Sequence, residues 1–174
     1  MTPESDRPTF DEARQLQAVE RAIARHSFCV LATSSAANRP HAVGILYAAV
    51  GFDLYLLIGG ETIKARNIRE NPRVAVSIPV RTIPIPMAPP MAVQYQGTAE
   101  LLTVDDPEIT TLLRDGKLKK ITGLGALKAP GVMFVRVRPG RRIASYGIGV
   151  SPLSLMRDVT SGARSVEVPH HTQT

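Results

Sequence analysis

The chain has 174 residues, 44% hydrophobic and 21% charged, with a formal net charge of +6 at pH 7; this is ordinary globular material, enough for one domain that buries roughly 70% of its unfolded surface. A single cysteine, Cys29, excludes a disulfide framework and a thiolate metal cluster and points to an intracellular setting. Sixteen arginines against five lysines raise the expectation of an anionic ligand, while the absence of any apolar run of membrane-spanning length and a polar N-terminus favour a cytoplasmic protein without a membrane span.

Residues 1–8 are polar and carry two prolines. Thr9-Phe10-Asp11-Glu12 then reads as a capping box with Thr9 as N-cap. Ala13, Leu16, Val19 and Ile23 form an apolar stripe at helical spacing, predicting a surface helix over 10–26. His26 at its end suits a dipole partner better than a ligand. Phe28–Thr33 is the first strand and Pro40–Ala49 the second. The second strand puts His41, Val43, Ile45 and Tyr47 on one face and Ala42, Gly44, Leu46 and Ala48 on the other. Gly44 in mid-strand marks either a close approach by a ligand or another chain, or a site that accommodates a helix. Leu54–Ile58 is the third strand of a meander.

Gly59 to Val74 is strand end, glycine turn, short helix, proline stop, strand. Thr62 is placed as N-cap, and Lys64 sits in the first turn. A hydroxyl, exposed N–H groups and an ammonium together suit a phosphate. Lys64 and Asn67 share a helical face; Arg66 points elsewhere and can meet Glu70. The competing reading is a connector helix with a solvated basic face.

Val74–Val80 is the fourth strand. Residues 79–90 then hold five prolines in twelve positions, which excludes a central strand or helix. This apolar, stiff loop is expected to wall a pocket and to set substrate choice. Met91–Leu102 alternates cleanly as a half-buried strand. Asp105-Asp106-Pro107 opens a helix carrying Ile109, Leu112 and Leu113 and ending near Gly116. Val132–Val137 and Arg142–Tyr146 are expected to be the last strand pair, turning at Pro139-Gly140. Arg136, Arg138, Arg141 and Arg142 crowd this hairpin. Past residue 152 the chain turns polar, so 1–152 is read as one domain and 153–174 as an extended or disordered tail.

The order of pieces around Thr62-Ile63-Lys64-Ala65-Arg66-Asn67-Ile68 and Asn71-Pro72-Arg73-Val74, with flanking strands over roughly 25–103, resembles the pyridoxamine 5'-phosphate oxidase-like split barrels. Within them the nearest likeness is to the actinobacterial flavin/deazaflavin (F420)-dependent oxidoreductases. The resemblance implies a mainly β fold, a six-stranded antiparallel split β-barrel with flanking helices, working as a homodimer. It also implies a cofactor phosphate at Thr62, Lys64, Arg66 and Asn67, and a ring along Val43, Gly44 and Ile45. His41 either donates to that cofactor or caps a strand edge. Tyr146 matches the aromatic residue that relatives often carry beside the cofactor.

The arginine-x-histidine pattern of genuine oxidases of the B6 vitamer is missing; Ser145-Tyr146-Gly147 stands there. No Rossmann fingerprint, P-loop or paired-histidine zinc motif is present, so no metal is expected. The expected function is hydride transfer between bound F420, or FMN as the alternative, and a small organic acceptor. The surplus of cations, which suits the polyanionic tail of F420, decides between the two cofactors. A non-catalytic flavin- or haem-binding protein of the same fold is the rival reading. Nucleic-acid binding is disfavoured, because no aromatic residues interleave with the basic clusters.

Overall fold

The computed structural model describes residues 11–80 and 91–169. Helix α1 (Glu12–Arg25) is capped by Asp11, whose carboxylate accepts from the Arg14 N–H at 3.0 Å. The expected capping residue, Thr9, lies outside the described residues; Asp11 has the acceptor in place and starts the helix itself. Val19 and Ile23 are fully buried as their spacing requires, joined by Gln15. At the other end, His26 Nδ1 lies 2.8 Å from the Ala22 carbonyl, and Lys120 donates to the carbonyls of Ala24 and His26. Both groups meet the negative end of the helix.

Seven antiparallel strands follow: β1 (Phe28–Ser34), β2 (Pro40–Val50), β3 (Asp53–Gly59), β4 (Arg73–Val80), β5 (Met91–Leu102), β6 (Val132–Tyr146) and β7 (Ala163–Glu167). Their order is β3-β2-β1-β4-β5-β6-β7, and an added β3–β6 pairing closes the first six into a barrel with β7 outside. Helix α2 (Ile63–Glu70) lies against β1 and β5. Inside the barrel, Leu31, Tyr47, Leu54, Leu56, Ile78, Val93 and Ile143 are fully buried.

The two expected C-terminal strands are one. Chain direction does not reverse at Pro139-Gly140; β6 runs through it, pairing with β5 from Leu102↔Phe134 to Ala92↔Tyr146. Between Tyr95↔Ile143 and Gly97↔Pro139, residues 140–142 stand opposite Gln96 alone. The proline and glycine therefore make a bulge that bends the strand rather than a turn that ends it. A Cβ on Gly97 would lie 2.1 Å from the Arg138 carbonyl oxygen, so only glycine permits this crossing.

From residue 153 to 169 the chain forms secondary structure rather than an extended tail, and residues 170–174 lie outside the described residues. Helix α4 (Pro152–Arg157), a 3-10 turn (Val159–Gly162) and β7 fold back onto the barrel, and β7 pairs with Arg142–Tyr146 of β6. Two buried apolar residues, Leu155 and Val166, anchor the segment. They are too few to stand out in a polar stretch.

A second core covers the outer face of β3 and β6. Tyr55 and Phe134 pack with Leu102, Leu118, Ile121 and Ile109 of helix α3 (Pro107–Arg114). Helix α3 is built as its sequence predicts: Asp106 caps it, accepting from the Glu108 N–H, and Pro107 takes its first position. Beneath it Arg136 donates to Glu108 and to Glu100, and the Tyr55 hydroxyl donates to Glu108. The doubly apolar strand 54–58 thus finds its cover within the chain. Dimerisation is not needed for that purpose.

Candidate functional site: an outer sheet face beside a basic helix

Strand alternation separates residues that the sequence had grouped together. Ile45 and Tyr47 pack into the barrel, and His41 and Val43 alternate with them to the inside, whereas Ala42, Gly44 and Leu46 are exposed outside. His41 Nδ1 is buried without a partner among the described residues, next to Thr33 on β1. The side chains of Val43 and Ile45 therefore cannot line the surface on which Gly44 lies. Within the chain Gly44 does mark a close approach: the ring of Phe28 covers it, with a ring carbon 2.7 Å from where a Cβ would be. Phe28 and its register partner Leu46 are 46% and 52% exposed.

From Gly44 a row of outward residues runs across six strands. The registers link Gly44 to Val30, Val30 to Ser77, Ser77 to Gln94, Gln94 to Ala144 and Ala144 to Ser165. A parallel row joins Ala42, Ala32, Ala75 and Gln96. Small side chains leave a groove of about 620 Å³ over Val30, Ala32, Ala75 and Ala144, with Gln94 and Gln96 on one wall and Arg141 and Arg142 on another. That volume is in the usual range for a small-molecule site. Sequence reasoning missed these residues because each is unremarkable in its own strand. The available signal was that small residues recur on one face of β1, β2, β4 and β6.

Helix α2 stands at the end of β1. Asn67 donates to Thr33 Oγ1 at 3.0 Å and Glu70 accepts from the Ala36 N–H, tying the helix down where Ala32 enters the groove floor. Asn67 is buried by this role. Glu70 is equally occupied, so the expected Arg66–Glu70 pair does not form. Thr62 is the N-cap by backbone geometry, yet its hydroxyl donates backward to the Gly59 carbonyl at 2.8 Å and caps no N–H. The first-turn N–H groups have no intrahelical acceptor. Lys64 and Arg66 make no ion pair among the described residues, so this helix start offers unpaired donors and charge.

Tyr146 is not brought to that helix. Strand β6 begins with Val132 opposite Gly59 and ends with Tyr146 opposite Ala92, so the two lie at opposite ends of one long strand. The Tyr146 hydroxyl donates to the Val159 carbonyl at 2.9 Å, and Gly162 lies against its ring. The crowded arginines of β6 are likewise engaged: Arg136 as described, Arg138 with Asp53, and Arg141 and Arg142 with Glu167. Of the proline-rich loop 79–90 expected to set substrate choice, Pro79 and Val80 end β4, paired with Ala92 and Met91, and 81–90 lie outside the described residues. Among the described residues no cluster of metal-ligating side chains occurs, and no helix is long and apolar enough to cross a membrane.

A closed antiparallel barrel of six strands with flanking helices places the chain in the class of split-barrel proteins. The pyridoxamine 5'-phosphate oxidase family model matches residues 16–139, and the chain belongs to that family. Among solved structures, the haem storage protein HutZ of Vibrio cholerae is similar at 16% identity and TM-score 0.65, over 76% of this chain and 95% of that one. A FAD-binding protein of Mesorhizobium loti matches at 19% identity and TM-score 0.59, over 74% and 90% of the two chains. The conserved hypothetical protein Rv2991 of Mycobacterium tuberculosis matches at 18% and 0.59, over 99% and 98%. At these identities the likeness is one of fold. No curated protein matches the sequence.

Proposed function

We propose that this protein is an oxidoreductase that binds F420 (or, as the second choice, FMN) and passes a hydride to or from a small organic molecule. The observation that carries the reading is an open, small-residue groove whose β1 floor is tied to α2, a helix whose cations lack carboxylate partners among the described residues. The donor set fits a phosphate: the first-turn N–H groups of α2, with Lys64 and Arg66 beside them. Thr62 keeps acceptor capacity only, since its proton is committed to Gly59. When bound, a deazaflavin or flavin supplies the two-electron chemistry. The chain's own tasks are to hold the phosphate, to present the outer face around Phe28 and Leu46 to the ring, and to leave the groove open for the second reactant. Among the described residues no histidine or carboxylic acid lines the groove, so a substrate proton would come from solvent.

The choice of F420 now rests on fewer cations than the sequence suggested. Each β6 arginine has a carboxylate neighbour, although Arg141 and Arg142 share Glu167, whereas Lys64, Arg66, Arg69 and Arg73, on α2 and its flank, have no carboxylate partner among the described residues. A polyanionic tail suits that cluster better than a single phosphate does. Genuine pyridoxamine-phosphate oxidation is disfavoured, because the arginine-x-histidine pattern is absent and Tyr146 is tied to Val159. The likeness to HutZ favours a second reading, a carrier of haem or flavin without turnover. Against haem, neither of the described histidines, His26 and His41, lines the groove.

A homodimer would cover Phe28, Leu46 and the groove rim, completing the site from two chains. The test of the whole reading is the absorbance spectrum of the purified protein, followed by titration with each cofactor at low and moderate salt. Salt-sensitive F420 binding upholds it. Stoichiometric flavin mononucleotide with no F420 binding moves the assignment to the second choice, and binding of neither overturns it.

A further inference from the structure

On a regular strand, Arg141 and Arg142 would point to opposite faces. The bulge at residues 140–142 breaks that rule, and both side chains reach the same wall of the groove. Both also approach a single carboxylate oxygen, Glu167 Oε1 on β7, at 3.4 and 3.5 Å. Those separations are well beyond a tight charge-assisted hydrogen bond of about 2.7–2.9 Å. The two arginine side chains are 72% and 70% exposed, so most of their N–H donors remain available. One carboxylate against two guanidiniums leaves an excess positive charge on that wall, and among the described residues no acidic side chain lines the groove. Bulges of this kind re-aim side chains beside binding sites.

We infer that the groove selects a small planar organic acid, its apolar ring on Val30, Ala32, Ala75 and Ala144 and its anionic group between Arg141 and Arg142. Glu167 is the internal counter-ion that such a ligand displaces. This rests on the reading of the outer face as the reaction site and names the substrate class of that site. Strand β7 is then part of the specificity apparatus: it carries both the counter-ion and Ser165 at the groove's edge.

The test uses the full chain free of cofactor, with two fluorescent probes: an anilinonaphthalene sulfonate and its uncharged parent, phenylnaphthylamine. The sulfonate is expected to bind about tenfold more tightly. The double variant Arg141→Gln/Arg142→Gln should abolish that preference and leave the neutral probe unaffected. Glu167→Gln should strengthen it, a change in the direction that damaged folding would not produce. Equal affinity for the two probes, or a preference that survives the double variant, overturns the inference. If added F420 or flavin mononucleotide displaces the sulfonate one for one, the groove holds the cofactor ring; the substrate assignment then falls and the cofactor reading stands. If the preference holds but neither cofactor binds, the anion groove stands and the oxidoreductase reading falls.

Discussion

Lys64 and Gly97 show two ways in which one residue decides an outcome. Lys64 projects from the first turn of α2, where no side chain caps the helix. Its replacement by alanine should weaken cofactor binding by about 1.5–3 kcal/mol, the range for a hydrogen bond to a charged group, and leave thermal stability of the cofactor-free protein unchanged. Fluorescence titration alongside thermal unfolding separates the two effects, and an unchanged affinity would remove Lys64 from the phosphate site. Gly97 acts through the backbone. A methyl group there meets the Arg138 carbonyl at 2.1 Å, where neither strand can yield without losing its ladder. Gly97→Ala should destabilise by about 3 kcal/mol, the upper end of the cost of overpacking, read as a fall in the urea midpoint.

At the scale of elements, helix α3 is fastened by charge as well as by Ile109. Glu108 accepts from both Tyr55 and Arg136, and the Arg136 guanidinium also reaches Glu100. Arg136 is held protonated by these two carboxylates, although its burial opposes the charge. Glu108→Gln should cost about 1.5–3 kcal/mol by removing a charged acceptor from a nearly buried guanidinium. Tyr55→Phe should cost less alone and almost nothing in the Glu108→Gln background, since the two share one interaction. A double-mutant cycle in urea measures that coupling, and strictly additive losses would mean that α3 is held by its apolar face alone. The same region explains why an apolar strand needs no second chain: a helix that follows about fifty residues later in sequence supplies the cover.

The whole molecule carries a predictable alkaline limit. Burial raises the Cys29 thiol to about 12 from a reference value of 9.0. Burial likewise raises the Tyr47, Tyr55 and Tyr95 phenols above their reference of 10.0. In the unfolded chain these groups lose protons from about pH 9 upward, while the folded chain keeps them. The folded state then binds more protons, so stability is level below pH 9 and falls as pH rises beyond it. Urea midpoints at pH 7, 9 and 10.5 should show a plateau and then a decline, and the phenolate absorbance of the three buried tyrosines should appear only with unfolding. A stability that is flat to pH 11 would mean that the barrel interior admits solvent. Assembly belongs to this scale too. With Phe28 and Leu46 half exposed beside an apolar groove, light scattering at micromolar concentration should give twice the chain mass. For an obligate pair the buried area should reach at least ~2,000 Å². A monomer with tightly bound cofactor would contradict the shared site.

Local chemistry was legible from the sequence wherever a signal is confined to a few neighbouring residues. The stripe of Val19 and Ile23, the Asp106-Pro107 start, the stop at Pro72 and the alternation of Met91–Leu102 all act within one element, and each element forms where its sequence placed it. The helix start at Thr62 and Lys64 was equally readable, because turn, cap and charge lie within a few residues. Tertiary structure alone decided what depends on pairing between distant strands. Pro139-Gly140 carries the same local signal whether it closes a hairpin or bends a continuous strand; only the register against Gln96 makes it a bulge. Leu155 and Val166 look like isolated apolar residues until β7 pairs with β6. Gly44 announced a close approach without naming Phe28 as the neighbour. The groove is the clearest case: Val30, Ala32, Ala75, Ala144 and Ser165 come from four strands, and their smallness becomes a surface only when the barrel sets them side by side.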